Sequence, residues 1–267
     1  MDIRTDESST AKMWGSTGIA YDGISFGLSD TIFHCVQMLW PLQGETVLDI
    51  GTGTGWAARL AAARGARVTG IDISSGMLAA ARTLSESLNP PPDFRLAPAE
   101  KLPVEDASVD GILSTYGVIF SQSPAAAIVE MARVLKPAGR LALATWADES
   151  DGYIPQFFRL IAGFSEAPPP PVSPFDWGRP GWLEEALSDH FRIGYRRQTT
   201  VLYAPDPETV WKEYLRGFGP VAATYEALGQ DRRAAFREAF LEIHRGYETP
   251  VGLVIPRQAL LVKGRRR

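Results

Sequence analysis

Hydrophobic positions along the chain change period several times, and each change marks an element. From Ser29 the residues Ile32, Phe33, Val36, Met38 and Leu39 recur at helical spacing, which predicts a helix capped by Ser29 or Asp30 and stopped by Pro41. The period then shortens. Residues 46–50 form a short apolar run of strand type, a glycine-rich turn follows, and 57–64 read as an alanine-rich helix ending near Gly65. A second strand is expected at 68–71, a helix at 75–88, a break at Pro90-Pro91-Pro92, a third strand at 94–96 and a fourth at 109–114. A helix over 125–135 and a fifth strand over 140–146 complete the alternation. Strands alternating with helices call for a parallel sheet covered on both faces.

Beyond Trp146 the alternation fails. Residues 167–171, Ala-Pro-Pro-Pro-Pro, predict a stiff extended stretch. A helix over 182–187 leads to an alternating strand segment at 196–203. Two or three helices follow between 207 and 247, the last with Phe236, Ala239, Phe240 and Ile243 on one face, and residues 259–262 look like a final strand. Residues 1–12 are polar and expected to fray, and the closing Arg265-Arg266-Arg267 run reads as a solvated terminus. No internal repeat appears.

Composition narrows the function classes. The 267 residues are 45% hydrophobic and 22% charged, ordinary for a globular protein, and the net charge of -4 offers no broad attraction for nucleic acid. No run of about 18 apolar residues is present, so no membrane span is expected. The N-terminal residues lack the apolar core of a secretion signal. The single cysteine, Cys35, cannot pair internally and, flanked by Phe33 and Val36, reads as an inert buried thiol; a cytoplasmic protein is the expectation. The three histidines, His34, His190 and His244, and the lone cysteine show no zinc spacing, so no metal is implied, and Gly-x-Ser-x-Gly is absent.

The informative segment is Asp49-Ile50-Gly51-Thr52-Gly53-Thr54-Gly55, between a strand and a helix. Glycines there let the backbone turn sharply and let a ligand approach the main chain. Asp72 ends the next strand about 20 residues later, where a carboxylate can accept both hydroxyls of a ribose. Dinucleotides and S-adenosylmethionine both use such a site. The dinucleotide fingerprint needs a third glycine at position 56, which is Trp56 here. Asp49 would repel a pyrophosphate and attract the ammonium of a methionine moiety, directly or through water. An NAD-dependent oxidoreductase is therefore the disfavoured alternative. A non-catalytic cofactor-binding protein on the same fold stays open.

Four ordered motifs carry a resemblance: VLDIGTGTG at 47–55, VTGIDIS at 68–74, APAEKLPVEDASVDGILS at 97–114 and RVLKPAGRLALATW at 133–146. Over residues 13–146 the chain resembles the class I S-adenosylmethionine-dependent methyltransferases, especially the branch that includes the ubiquinone and menaquinone biosynthesis C-methyltransferases. The remainder, with SPFDWGRP at 173–180 and PRQALLVKGRRR at 256–267, is similar to bacterial methyltransferase-domain proteins. The resemblance implies an α/β fold, doubly wound, with a mostly parallel seven-stranded Rossmann-like sheet, an antiparallel last strand and a helical substrate lid. It implies one domain in three parts: an N-terminal helical cap (1–40), an S-adenosyl-L-methionine-binding core (41–146), and the remaining strands with substrate-binding insertions (147–267).

The implied roles carry over residue by residue. Gly51, Thr52, Gly53 and Gly55 form the loop around the methionine part, Asp49 its amino-group partner, and Asp72 the ribose acceptor. Ile73 and Met77 border the adenine, Ala99 and Glu100 hold its edge, and Ser114, Thr115 and Tyr116 meet the methionine end and the acceptor. Tyr21, and less so Trp14, suits a sulfonium from an N-terminal segment folded over the cofactor. Three positions depart from the family pattern: Pro98 replaces an adenine-accepting aspartate, Ala138 a glycine of the usual LKPGG turn, and Thr145-Trp146 the Glu-Phe pair of quinone-methylating relatives. No catalytic base is assigned, because methyl transfer from a sulfonium needs mainly alignment; His34 is the best placed of the histidines and Tyr116 could orient an acceptor. The acceptor is expected to be a small molecule, under a roof made by Phe157, Phe158, Phe175, Trp177, Trp211, Tyr214 and Phe218, or else those rings only glue the lid to the sheet.

Overall fold

The computed structural model describes residues 8–149, 151–165 and 172–267. Three helices come first: α1 (Ser9–Gly15), α2 (Tyr21–Phe26) and α3 (Ser29–Leu39). The alternating core follows as β1 (Thr46–Ile50), α4 (Trp56–Ala62), β2 (Arg67–Asp72), α5 (Ser75–Ser85), β3 (Asp93–Leu96), β4 (Val109–Thr115), α6 (Pro124–Val134) and β5 (Leu135–Trp146). The rest is α7 (Tyr153–Phe164), α8 (Pro180–Leu187), β6 (Phe191–Ala204), α9 (Pro207–Gly217), α10 (Gly219–Ala227), α11 (Gln230–Arg245), β7 (Glu248–Thr249) and β8 (Gly252–Arg266).

The sheet order is β3-β2-β1-β4-β5-β8-β6, with the two-residue β7 paired to β8. Strands β1 to β5 pair in parallel, and β8 runs antiparallel to both β5 and β6. The doubly wound, mostly parallel arrangement expected from the alternation is therefore present, with seven strands of four or more residues and a two-residue eighth among the described residues. Strand β1 is buried along nearly all its length, as a central strand covered on both faces must be. The order reverses between β1 and β4, and a crevice opens at their carboxyl ends.

Several local expectations are corrected. Helix α3 starts at Ser29, but neither Ser29 nor Asp30 caps it: Leu28 holds the cap position without a side-chain bond. Asp30 Oδ1 instead accepts from Thr31 N at 2.6 Å and from Thr200 Oγ1 at 2.7 Å, tying α3 to β6. The N-terminal stretch through residue 12 is not all frayed, since Ser9–Gly15 is helical with Ser8 accepting from Ala11 N at 3.0 Å; residues 1–7 and 166–171, which include the proline run, lie outside the described residues. Strand β8 is longer than 259–262. It takes in Arg265 and Arg266, which pair with Arg140 and Phe191, so the basic run is mostly strand rather than a free tail. On α11 the buried face is Phe236, Phe240, Leu241 and His244, with Ala239 and Ile243 only half-buried, because 236, 240 and 244 recur at one-turn spacing. Ala138, at the departed glycine position, adopts the left-handed φ of 58° that a glycine would take without strain.

The aromatic residues after position 146 form a packed layer. Phe157 lies within 6 Å of Tyr214, Phe218 and Phe240 by ring centroid, Phe240 stacks on His244 at 4.2 Å, and Trp211 meets Phe240 at 5.1 Å. His244 is fully buried, with Nδ1 2.6 Å from Phe240 O and Nε2 2.9 Å from the Tyr153 hydroxyl. Burial pushes its pKa down to about 4, which keeps the ring neutral at physiological pH. Replacing Phe157 by leucine leaves a void at the centre of this layer. The expected cost is about 1–3 kcal/mol of stability, read by urea denaturation.

Candidate functional site

A cavity of about 530 Å³ occupies the crevice at the carboxyl ends of β1, β2 and β4. That is within the roughly 300–1,000 Å³ range of small-molecule and cofactor sites. Its walls come from the turn after β1, the end of β2, the segments after β3 and β4, and the N-terminal helices. Among the described residues, none beyond Ala126 lines it.

The loop after β1 is built on two hydrogen bonds. Thr52 N donates to Ile71 O at 2.9 Å, and Gly53 N donates to Asp72 Oδ2 at 2.9 Å. Asp72 Oδ1 also accepts from Ser74 N at 3.0 Å. The carboxylate thus ties the first turn to the second while still bordering the cavity. Burial raises its pKa, opposed by the amides of Gly53, Ser74 and Ile73. Asp72 does serve the turn before α5, and its cavity position adds to that role.

The three glycines have different tasks. A Cβ on Gly51 would stand 2.5 Å from Gly117 Cα, so bareness there lets two loops touch. A Cβ on Gly55 would meet Phe94 and Ala81 at 3.2 and 3.3 Å, a matter of helix-to-sheet packing. Only at Gly53 does the missing side chain open on the cavity, where the nearest atom is Tyr21 Cε1 at 3.9 Å.

Of the residues singled out from the sequence, Tyr21, Gly51, Thr52, Gly53, Asp72, Ile73, Met77, Ala99, Glu100, Thr115 and Tyr116 line the cavity together. Three do not. Gly55 faces Phe94, as above. Ser114 is a stitch between strands, its Oγ donating to Ile50 O at 2.6 Å and accepting from Val118 N at 2.9 Å. Asp49 is fully buried behind the loop, where Oδ2 accepts from Thr52 Oγ1 at 2.7 Å. Direct contact between Asp49 and a ligand ammonium is therefore corrected: the carboxylate shapes Thr52 and stays out of the cavity wall. Its argument against a pyrophosphate weakens accordingly, whereas that from Trp56 stands, since position 56 lines the cavity and carries no glycine.

The aromatic roof is also corrected. None of Phe157, Phe158, Phe175, Trp177, Trp211, Tyr214 and Phe218 lines the cavity, because these rings are consumed in packing one another and neighbouring helices. The aromatic wall comes from the N-terminal segment and the segment after β4: Trp14 meets Tyr21 edge-on at 5.9 Å and Phe120 at 5.1 Å. His34 is exposed, 3.0 Å from Gln198 Oε1, and is not part of this site. Cys35 is buried, and burial pushes its thiol pKa up, as an inert core thiol requires.

Glu100 Oε1 accepts from Gln122 N at 2.6 Å and Ser123 N at 3.1 Å, fixing the loop that leads into α6. Sequence reading missed this loop and Gly117, as well as Ser25, Leu28 and Ile32 from the N-terminal helices. The signal for Gly117 was its place two residues after the end of β4. The others form a wall only through tertiary packing. The titratable groups lining the cavity are Tyr21, Asp72, Glu100 and Tyr116, with no histidine, lysine or cysteine among the described residues. The site can bind, orient and exclude water; it offers no uncommitted strong base.

Residues 48–143 match the family described as "Methyltransferase domain". A demethylmenaquinone methyltransferase of Tropheryma whipplei is 36% identical over 154 residues, covering 56% of this chain and 63% of that protein. This chain thus spans a little under two thirds of that relative's length. An uncharacterised protein of Mycobacterium tuberculosis is 27% identical over 190 residues, covering 70% of this chain and 68% of its own. Among solved structures, a protein of Bacillus halodurans described as a candidate methyltransferase superposes with a TM-score of 0.61 at 17% identity, covering 88% of this chain and 97% of that one. The cyclase SpnF, described as catalysing a [4+2] reaction, has a TM-score of 0.56 at 21% identity over 88% of this chain and 80% of its own. The structural likenesses establish the fold. Among the described residues, no helix is long and apolar enough to cross a membrane.

Burial raises the Asp49 pKa to about 7, with the Thr52 hydroxyl and the Ala58 amide opposing and Asp72 adding to the rise. A carboxyl that holds its proton more tightly when folded makes stability fall as pH climbs from its unfolded value, about 4, to about 7, and level off above. Asp49→Asn should remove that component. In urea titrations the variant is expected to gain little on the parent at pH 3.5 and about 3 kcal/mol or more at pH 8, with part of the gain already present at pH 5.

Proposed function

We infer that this chain, whose core is a methyltransferase domain on the class I methyltransferase fold, binds S-adenosyl-L-methionine in the cavity and transfers its methyl group to a small-molecule acceptor. The observation that carries the reading is the pairing of Gly53 and Asp72: a backbone left open to the cavity, beside a buried carboxylate held by loop amides. These groups fit an adenosyl sulfonium. Asp72 would accept from the ribose hydroxyls. Ile73, Met77, Ala97, Pro98 and Ala99 would offer an apolar shelf to the adenine. Thr52, Gly53 and Thr115 would border the methionine part, and Tyr21 and Trp14 would turn aromatic surface toward the positive sulfur. The loss of the aspartate at position 98 leaves the adenine held by the shelf and by backbone alone.

When bound, the sulfonium supplies an already activated electrophilic methyl group. The protein's residues act by alignment and dehydration. The N-terminal helices cover the cavity through Trp14 and Tyr21, and Glu100 holds the segment at 121–123 that closes its rim. On this reading residues 1–40 are a cap over the core of 41–146, and residues 147–267 extend the sheet and brace the cap. The acceptor-facing surface is consequently assigned to the cap, not to the later insertions.

The test is calorimetric titration with S-adenosylhomocysteine and, separately, NAD. Saturation by the first and none by the second is expected; the reverse would replace this reading with an oxidoreductase. Asp72→Asn should weaken S-adenosylhomocysteine binding at least about ten-fold, about 1.4 kcal/mol, by removing a charged acceptor from the ribose.

A further inference from the structure

Strands β6 and β8 contain no acidic residue, although the whole chain carries a net charge of -4. Their cations gather on one face. Antiparallel register sets Arg192 of β6 opposite Arg265 of β8, and Arg265 opposite Arg140 of β5, so three guanidinium side chains stand in one row across three strands. Arg140 Nε donates to Leu39 O at 3.1 Å, which fixes the side of the sheet carrying α3 as the face of this row. Strand alternation adds Lys263 and Arg196 to the same face. Arg192, Arg196, Lys263 and Arg265 are exposed, and among the described residues none of these four side chains has a hydrogen bond or ion pair.

Beside the row stands an exposed apolar pair. Trp40, which follows α3 with the left-handed φ of 55°, is 56% exposed, and Leu42 is 48% exposed. Arg140 joins them: its Nη2 donates to Trp40 O at 3.5 Å and to Glu45 Oε2 at 2.5 Å, and the same Glu45 oxygen accepts from Leu42 N at 2.9 Å. Arg64 lies over the indole of Trp40 at 4.4 Å. Glu45 is thus neutralised by Arg140, and nearby Asp110 by Lys136 at 2.6 Å. Cations on β6 alone would have a structural reading, because edge strands carry them to deter pairing. Lys263 and Arg265 lie on β8, an inner strand, where like charges set opposite one another destabilise the sheet. Unpaired cations beside exposed tryptophan and leucine are the composition of a surface that meets anionic lipid headgroups.

We propose that this face, formed by Arg192, Arg196, Lys263 and Arg265 with Trp40 and Leu42, docks the protein on an anionic phospholipid surface. The cations meet lipid phosphates, and Trp40 and Leu42 enter the interface beside them. The row is level with Val47 and Gly111, near the starts of β1 and β4, whereas the cavity lies at the carboxyl ends of those strands. Docking therefore engages the end of the sheet opposite to the cavity, and it is independent of what the cavity holds.

The experiment is co-sedimentation of the full chain with vesicles of phosphatidylcholine alone and of an equal mixture of phosphatidylcholine and phosphatidylglycerol. Partitioning should be at least about ten-fold higher onto the anionic vesicles and should collapse in molar sodium chloride. Replacing Lys263 and Arg265 together by glutamine should lower it at least about ten-fold, at about five-fold for each charge. Trp40→Ser should weaken it by about three-fold or more and leave its salt dependence unchanged. Arg197→Gln is the control: Arg197 lies on the opposite face, paired with Glu149, and its loss should change partitioning by less than about two-fold. All the substituted side chains are exposed, so the variants keep the fold. Polyuridylate and polyglutamate are titrated in parallel. Equal partitioning onto neutral and anionic vesicles, or an anionic preference untouched by the Lys263 and Arg265 substitutions, would overturn the proposal. So would absence of vesicle binding, and binding of either polymer in its place would reassign the face to a nucleic acid or to an acidic protein.

Discussion

The hydrogen bond from the Gly53 amide to the Asp72 carboxylate joins the turn after β1 to the end of β2, and the cavity takes its shape from that junction. It can form only because the two strands lie side by side in parallel, in the register that sets Ile50 against Ile71. It persists because the carboxylate is shielded, with its other oxygen taken by Ser74 N. On the opposite side Gly51 presses against Gly117, so the loops after β1 and β4 close on each other at the point where the strand order reverses. Everything that faces a ligand is hung from these two contacts.

The division of labour around that junction differs from what a linear reading suggests. The two carboxylates near the loop have separate duties: Asp72 borders the cavity, and Asp49 sits in the interior holding Thr52. The large aromatic residues after position 146 pack against one another and against the N-terminal segment. They reach the cavity only indirectly, through contacts such as Phe218 against Trp14 at 5.6 Å. Within that packing the Tyr153 hydroxyl and His244 Nε2 satisfy each other at 2.9 Å.

The core was legible in the sequence because its signals are local. Apolar runs at 46–50 and 109–114, glycines at 51, 53 and 55, and an acid at 72 each report on their own segment, and strand alternation orders them. Within the expected N-terminal helical cap α1 and α2 were not placed individually, and α7 was not anticipated. The first two are short and interrupted by Gly15, Gly18 and Gly23, and α7 mixes buried Phe157 with half-buried Phe158 and carries Pro155 in its first turn, so no clean period marks them. Ten of the eleven expected cavity residues sit at or after strand ends, Tyr21 being the exception, whereas Ser25, Leu28 and Ile32 belong to the wall through packing that spans distant parts of the chain. The fate of Asp49 was hidden for a related reason: sequence gives its distance from the loop but not the side of the sheet edge to which its carboxylate turns.

The most direct test of the account is a crystal structure of the protein with S-adenosylhomocysteine. The account predicts the ribose hydroxyls within hydrogen-bonding distance of the Asp72 carboxylate, the adenine against Met77 and Ala99, and the amino-acid end over Gly53. Density for the ligand elsewhere, or a ribose turned away from Asp72, would contradict it.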